Sequence, residues 1–344
     1  MKLLIIASFL LAVFPATSTV AQNIEDNNIR IAGVFSLTGF GAVGGKAEVN
    51  GISLAVNEIN AAGGIKGRKI ELTIEDNGSD LKNTATALKR IIATKHPVVL
   101  LGPNWAEFSE IAAPIAESHK IVMITASGYK KNLVTGKKYV FTMLPPHKEA
   151  VRPLAEYVAG LNQKKIALLV STNAFYRSLA DGFKELMQRA GRPVWKEIEL
   201  NPQDLDFRTL LIKLKSQHVD RIVVFLLEGA PTYTFLKQSK EVGMYDRLIF
   251  GPSLRYDQVV LKNPNIAEGL VTVDYFSFDE SEAGELTEAA KNFAASYEKH
   301  FAIKPIYASA KAYDSVYMVK RAIEECGLTS DEIRRCLLNM RYKG

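Results

Sequence analysis

"IRIAGVFSLTGFGAVGGKAEVNGISLAVNEINAAGGIKGRKIELTIED", residues 29 to 76, opens with an apolar run, Ile29 to Phe35, that reads as a strand. A loop holding Gly39, Gly41 and Gly44 follows. Val49, Ile52, Val56 and Ile59 then recur at helical spacing until Gly63-Gly64 stops the helix. "KIELTIED" is a second strand. A nearly continuous apolar strand, a helix and another strand in succession predict a parallel sheet covered on both faces.

The same grammar extends outward. Asp80 predicts an N-cap before a helix whose apolar face is Leu81, Ala85, Leu88 and Ile92. Pro97 to Leu101 is a third strand, running straight into "LGPNWAEFSE" (residues 101 to 110) and a helix around Phe108, Ile111 and Ile115. "IVMIT" is a fourth. The pattern restarts at "KKIALLV" (164 to 170), with strands at "VWKEIEL", "RIVVFLL" and "RLIFG" and helical faces between them, one carrying Phe207, Leu210, Leu211 and Leu214. The fold expected is α/β, with two doubly wound parallel-sheet lobes joined by a hinge.

Pro145-Pro146 in "FTMLPPHKEA" can continue neither a central strand nor a helix, so the first set ends there. A second break falls at "DYFSFDESEAGE". Helices with Leu286, Ala290, Phe293 and Tyr297, and with Ala312, Val316, Val319 and Ile323, have no lobe of their own and are expected to return to the first. Thr329 to Glu332 has the form of a capping box. The division expected is residues 22–143 plus 277–344 for lobe 1 and 144–276 for lobe 2.

Lys2, the apolar run Leu3 to Phe14 and the small-residue site Thr19-Val20-Ala21 make residues 1–21 a signal peptide, too short in its apolar part for the roughly 20 residues of a membrane span. An exported, extracytoplasmic protein is expected. The 344 residues, 47% hydrophobic and 23% charged, suffice for two cores. The net charge of +6 is spread along the chain, which argues against nucleic acid as a partner. Cys326 and Cys336 in "CGLTSDEIRRC" are expected to form a local disulfide, on short helices flanking a turn, in an oxidising compartment.

Motifs for catalysis or cofactors do not hold up. Gly39, Gly41 and Gly44 match the dinucleotide spacing, and Glu75-Asp76 closes the next strand, but Ser36-Leu37-Thr38 separates strand from first glycine. The loop is read as a helix entry facing a cleft, with no cofactor. Phe40 and Ala47 break a phosphate-binding loop, and "GPSLR" lacks the second glycine of a nucleophile elbow. Five histidines (96, 119, 147, 218, 300) show no metal-ligand spacing and are read as solvated or locally bonded. No nucleophile is proposed, and neither an enzyme nor a metal site is expected.

Open parallel sheets bind ligands at the carboxyl ends of their strands. In lobe 1 those ends are Ser36 to Thr38, Pro103 to Glu107 and Thr125 to Tyr129. In lobe 2 they are Thr172 to Tyr176, Glu228 to Ala230 and Ser253 to Tyr256. The candidate ligand contacts are therefore Ser36, Trp105, Ala106, Glu107, Ser127, Gly128 and Tyr129 on one side, and Phe175, Tyr176, Glu228, Ser253 and Tyr256 on the other. Trp105 has a second reading, as a residue packing beneath the cleft. Apolar walls with a few polar anchors suit a small molecule.

"FSLTGFGAVGG" with "AVNEINAAGGIKGRKIELTIEDNGSD", and then "IAAPIAESHKIVMIT", "LKQSKEVGM" followed by "IFGPS", and "PIYASAKAYDS", resemble type I periplasmic solute-binding proteins of the branched-chain amino acid group. The resemblance implies a hinged receptor without catalysis, closing on a small organic ligand, an amino acid or a relative of one, and recognised by an ABC permease in the membrane. A sensor on the same scaffold is the alternative. Amino-acid binders of this group place a Ser where Ala106 stands, a Thr or Ser at Tyr129, often an acid at Ser253 and a Tyr at Phe175; Glu228 sits on the neighbouring strand end. Loss of the Ser hydroxyl favours a larger or aromatic ligand stacked on Trp105 or Tyr129. Family members also run on past "LLNMRYKG", so a lobe 2 incomplete at its C-terminal end is expected.

Overall fold

The protein was analysed as a computed structural model that describes residues 27–130, 132–201, 203–225, 229–252, 254, 258–278 and 285–344. The expected signal peptide lies outside them. Two five-stranded sheets organise the chain.

The first contains β1 (Ile29–Phe35), β2 (Ile70–Asp76), β3 (Val99–Leu101), β4 (Val122–Thr125) and β5 (Val140–Thr142) in the order β2-β1-β3-β4-β5, with every pairing parallel. Helices α1 (Ala42–Ala61), α2 (Leu81–Lys95) and α3 (Ala106–Ser118) connect it. Asp80 caps α2 as its side chain accepts from the Asn83 N–H at 2.7 Å.

The chain then passes through α4 (His147–Ala150) and α5 (Arg152–Gly160) into the second sheet. That sheet holds β6 (Ile166–Ser171), β7 (Lys196–Leu200), β8 (Arg221–Phe225), β9 (Leu248–Phe250) and β10 (Val271–Thr272), ordered β10-β9-β8-β6-β7 and again parallel. Its helices are α6 (Ala174–Arg189), α7 (Arg208–Ser216), α8 (Ala230–Val242) and α9 (Gln258–Lys262). The sequence pattern had yielded four strands per lobe. The fifth, β5 and β10, are short edge strands of three and two residues, too brief to show a period.

Three closing helices, α10 (Glu288–Phe301), α11 (Tyr307–Cys326) and α12 (Ser330–Asn339), follow. They return to the first sheet: Val316, Val319 and Ile323 of α11 and Ile333 of α12 are buried in one cluster with Ile52 and Ile59 of α1 and with Ile31, Val99 and Ile124 of the strands. The opposite face is covered by Leu88 and Ile92 of α2 and by Ala112 and Ala116 of α3. The second sheet is covered likewise, by α7 and α8 on one face and α5 and α6 on the other. A disulfide joins Cys326 and Cys336, whose Cα atoms are 6.0 Å apart. Cys326 ends a helix of 20 residues, not a short one, because the apolar face of α11 continues to Ile323.

α1 lies close to β1. A Cβ on Gly45 would come within 2.0 Å of the Ser36 carbonyl oxygen, so only glycine fits there. This contact sets the loop after β1 at the edge of the sheet.

Candidate functional site

Strand order marks the switch points at which open parallel sheets bind ligands. In the first sheet the chain leaves β1 toward β2 on one side and reaches β3 on the other, so the switch point lies between the carboxyl ends of β1 and β3. In the second sheet the equivalent point lies between β6 and β8. Ser36 and Trp105 flank the first, and the start of α6 flanks the second.

The first edge is a hydrogen-bonded frame. The fully buried Asn104 side chain accepts from the Ser36 N–H at 2.9 Å and donates to the Gly41 carbonyl at 3.1 Å, tying the loops after β3 and β1 together. Thr125 Oγ1 donates to the Pro103 carbonyl at 2.8 Å and accepts from the Gly128 N–H at 2.9 Å. A Cβ on Gly128 would meet Ser109 Oγ at 2.2 Å, so this loop is held without room for a side chain. The Ser36 hydroxyl is buried and has no hydrogen-bond partner among the described residues.

Trp105 opens α3 with φ 68° and ψ 142°, a sparsely populated conformation for a residue with a side chain and one costing of order 1–3 kcal/mol. Its indole nitrogen lies 3.2 Å from where a Gly41 Cβ would stand and 3.9 Å from a Gly44 Cβ. Gly41 of the apparent dinucleotide motif thus leaves room for an indole, whereas a Cβ at Gly44 would make only an ordinary contact with it. Asp76, the acid that motif would need for a ribose, accepts instead from Leu37 N–H at 2.9 Å and Thr38 Oγ1 at 2.6 Å. Trp105 is half-buried and meets the ring of Phe40 edge-on at 5.2 Å; Phe40 is 66% exposed. The packing expected of Trp105 is present in its contacts with Phe40 and the glycine loop. Ala106 is buried, Glu107 is half-buried, and no side chain caps α3, so its leading N–H groups are left to solvent or ligand.

Ser127 is half-buried and donates to Glu48 of α1. Glu48 is fully buried, and that burial pushes its carboxyl up to about 8 although the Ser127 hydroxyl works the other way. The acid is predominantly neutral at pH 7, and its second oxygen has no partner among the described residues.

A run of rings crosses between the lobes. Tyr129 lies 4.5 Å from the ring of His147, His147 lies 4.8 Å from Phe175, and Phe175 lies 5.3 Å from Tyr176. Tyr129 follows β4, His147 begins α4 just past Pro145-Pro146, and the other two open α6, which Asn173 caps through the Phe175 N–H at 2.8 Å. His147 is 2% exposed, and neither ring nitrogen has a partner among the described residues. Burial lowers its pKa to about 4, so it is neutral. This corrects the expectation of a solvated or locally bonded imidazole, which does describe His119 and His300, bonded to carbonyls one turn back.

Ser36, Trp105, Ala106, Glu107, Ser127, Gly128 and Tyr129 thus share one sheet edge, and Tyr129 touches the lobe 2 set of Phe175 and Tyr176 through His147. Glu228, Ser253 and Tyr256 lie outside the described residues. Sequence reasoning missed Glu48, Asn104 and His147. Glu48 had a signal, since it stands four residues before Ile52 on the buried face of α1. No group of three His, Cys, Asp or Glu residues among the described residues could hold a metal. A separate cavity of about 580 Å³, lined by Glu58, Phe278, Phe293, Tyr313, Asp314 and Tyr342, sits against α10 and α11, away from both strand edges.

A family model described as periplasmic binding protein matches residues 28–344. The chain is 27% identical to the Leu/Ile/Val-binding protein homolog 3 of Brucella melitensis over 320 residues, 88% of this chain and 81% of that one. It resembles the branched-chain amino acid transporter substrate binding protein of Streptococcus pneumoniae solved with isoleucine, at 26% identity and a TM-score of 0.79, covering 90% of this chain and 87% of that one. The fold is also that of a solute binding protein of an ABC transporter from Rhodopseudomonas palustris solved with 3,4-dihydroxybenzoic acid, at 24% identity and a TM-score of 0.77, covering 92% and 86%.

Proposed function

Because the chain belongs to the periplasmic binding protein family, we propose that it is the extracytoplasmic receptor of an ABC importer that closes on a small carboxylic acid with an apolar, ring-sized body. The solved structures named as transporter components favour this over a sensor on the same scaffold. Residues 1–21 export it, and a membrane permease receives the closed form.

One observation carries the ligand class: a polar edge faces an aromatic run. The uncapped N-terminus of α3, tied through Asn104 to the loop that carries the unpartnered Ser36 hydroxyl, suits a carboxylate. Trp105 and Phe40 on one side, and Tyr129, Phe175 and Tyr176 on the other, suit a flat or bulky apolar body. Contacts to both lobes favour the closed state, since a ligand shifts a hinge equilibrium only by its differential affinity for the two forms. Glu228, an acid of the sequence just after β8, would receive an ammonium if the ligand is an amino acid. The receptor turns nothing over.

Titration calorimetry of the full chain against L-leucine, L-phenylalanine, benzoate and 3,4-dihydroxybenzoate tests this. At least one should bind with a stoichiometry of one. Binding confined to uncharged amides or sugars would contradict it.

A further inference from the structure

The two ring nitrogens of His147 have no partner among the described residues, although the ring is 2% exposed. Buried polar atoms are almost always bonded, and an unbonded one forfeits its full hydration. The ring does not sit in a featureless core. It lies between Tyr129, at the carboxyl end of β4, and Phe175, at the carboxyl end of β6, where the two strand edges meet. It also begins the first element after the crossover, so its position depends on the angle between the lobes.

We propose that His147 is a specificity-determining ligand contact, hydrogen-bonding an oxygen of the bound acid and closing the gap between the lobes. This rests on the receptor reading above. Tyr129 and Phe175 meet the imidazole ring to ring, and neither ring nitrogen is bonded to any described residue. A neutral imidazole presents one donor and one acceptor, so its N–H can donate to a carboxylate or phenol oxygen and its other nitrogen can accept a hydrogen bond from a ligand hydroxyl. Its low pKa is consistent with that state. Lys148 and Glu149, its neighbours in sequence, are engaged with Glu185 and Arg152 and do not compete for the ring.

The test is the variant His147→Phe, which keeps a ring in the stack and removes both nitrogens, titrated with whichever of L-leucine, L-phenylalanine, benzoate or 3,4-dihydroxybenzoate binds the unaltered chain. A ligand contact predicts affinity at least tenfold weaker together with an unchanged or higher Tm, because a ring that only packs loses nothing by the change. In parallel, the ring nitrogens of His147 in isotopically labelled unaltered protein should shift on adding the same probe; this reading does not depend on the variant folding. Equal affinity in the variant, or ring signals that ignore the probe, overturns the assignment and leaves the receptor standing. An unaltered chain that binds none of the four overturns both.

Discussion

The two strand edges that face each other are built differently. On lobe 1, Asn104, Thr125 and Asp76 bond loop to loop, and glycine stands where a side chain would collide, as at Gly45 and Gly128. On lobe 2 the described edge is mainly rings, His147, Phe175 and Tyr176, in contact through their faces and edges. Hydrogen-bonded loops fix positions to fractions of an ångström, whereas ring contacts tolerate sliding. Under the proposed function, the bonded edge of lobe 1 holds the charged head in place, and rings from both lobes accommodate the body.

Each edge also holds one buried ionisable group, and the two respond to pH in opposite directions. Glu48 keeps its proton in the folded chain up to about pH 8, whereas unfolded it releases it near 4.5. Stability is therefore withdrawn as pH rises from about 4.5 toward 8, by roughly 3–5 kcal/mol at the upper end. Glu48→Gln should remove that slope, as urea unfolding across the range would measure. His147 is neutral in the fold down to about pH 4 and protonates near 6.5 when unfolded. Its contribution is complete above about 6.5 and is lost on acidification toward 4, by roughly 2–3 kcal/mol. His147→Phe should flatten the acid limb of the same curves. Both variants leaving the curves unchanged would erase the contrast in burial.

Binding separates the edges next. Trp105→Ala removes an indole resting on Gly41 and Gly44 and should weaken the bound acid about tenfold or more, roughly 1.4 kcal/mol or above. Phe175→Leu keeps an apolar wall and should cost severalfold at most, by calorimetry with the same acid. The reverse order would exchange the roles of the lobes. The smallest effect is expected from Ala106→Ser, which adds a hydroxyl at the first position of α3 and should alter stability by under about 1 kcal/mol while strengthening L-leucine relative to benzoate.

The alternation from Ile29 to Asp76 made the lobes legible, because buried parallel strands and amphipathic helices write their periods over many residues. Asp80 and the Thr329–Glu332 box marked their helix starts for the same local reason. β5 and β10 did not show, being shorter than any period. At the candidate site, the rule of carboxyl strand ends picked out Ser36, Trp105 and Tyr129, which the structure places along one sheet edge. It could not find His147, whose character depends on Tyr129 and Phe175 arriving from two lobes. Nor did spacing reveal that Gly41 makes room for an indole.

Small-angle X-ray scattering of the full chain, alone and saturated with the tightest-binding of the four acids, tests the clamp most directly. An acid held by contacts to both lobes predicts a smaller radius of gyration on binding. A bound acid that leaves the scattering unchanged would contradict it.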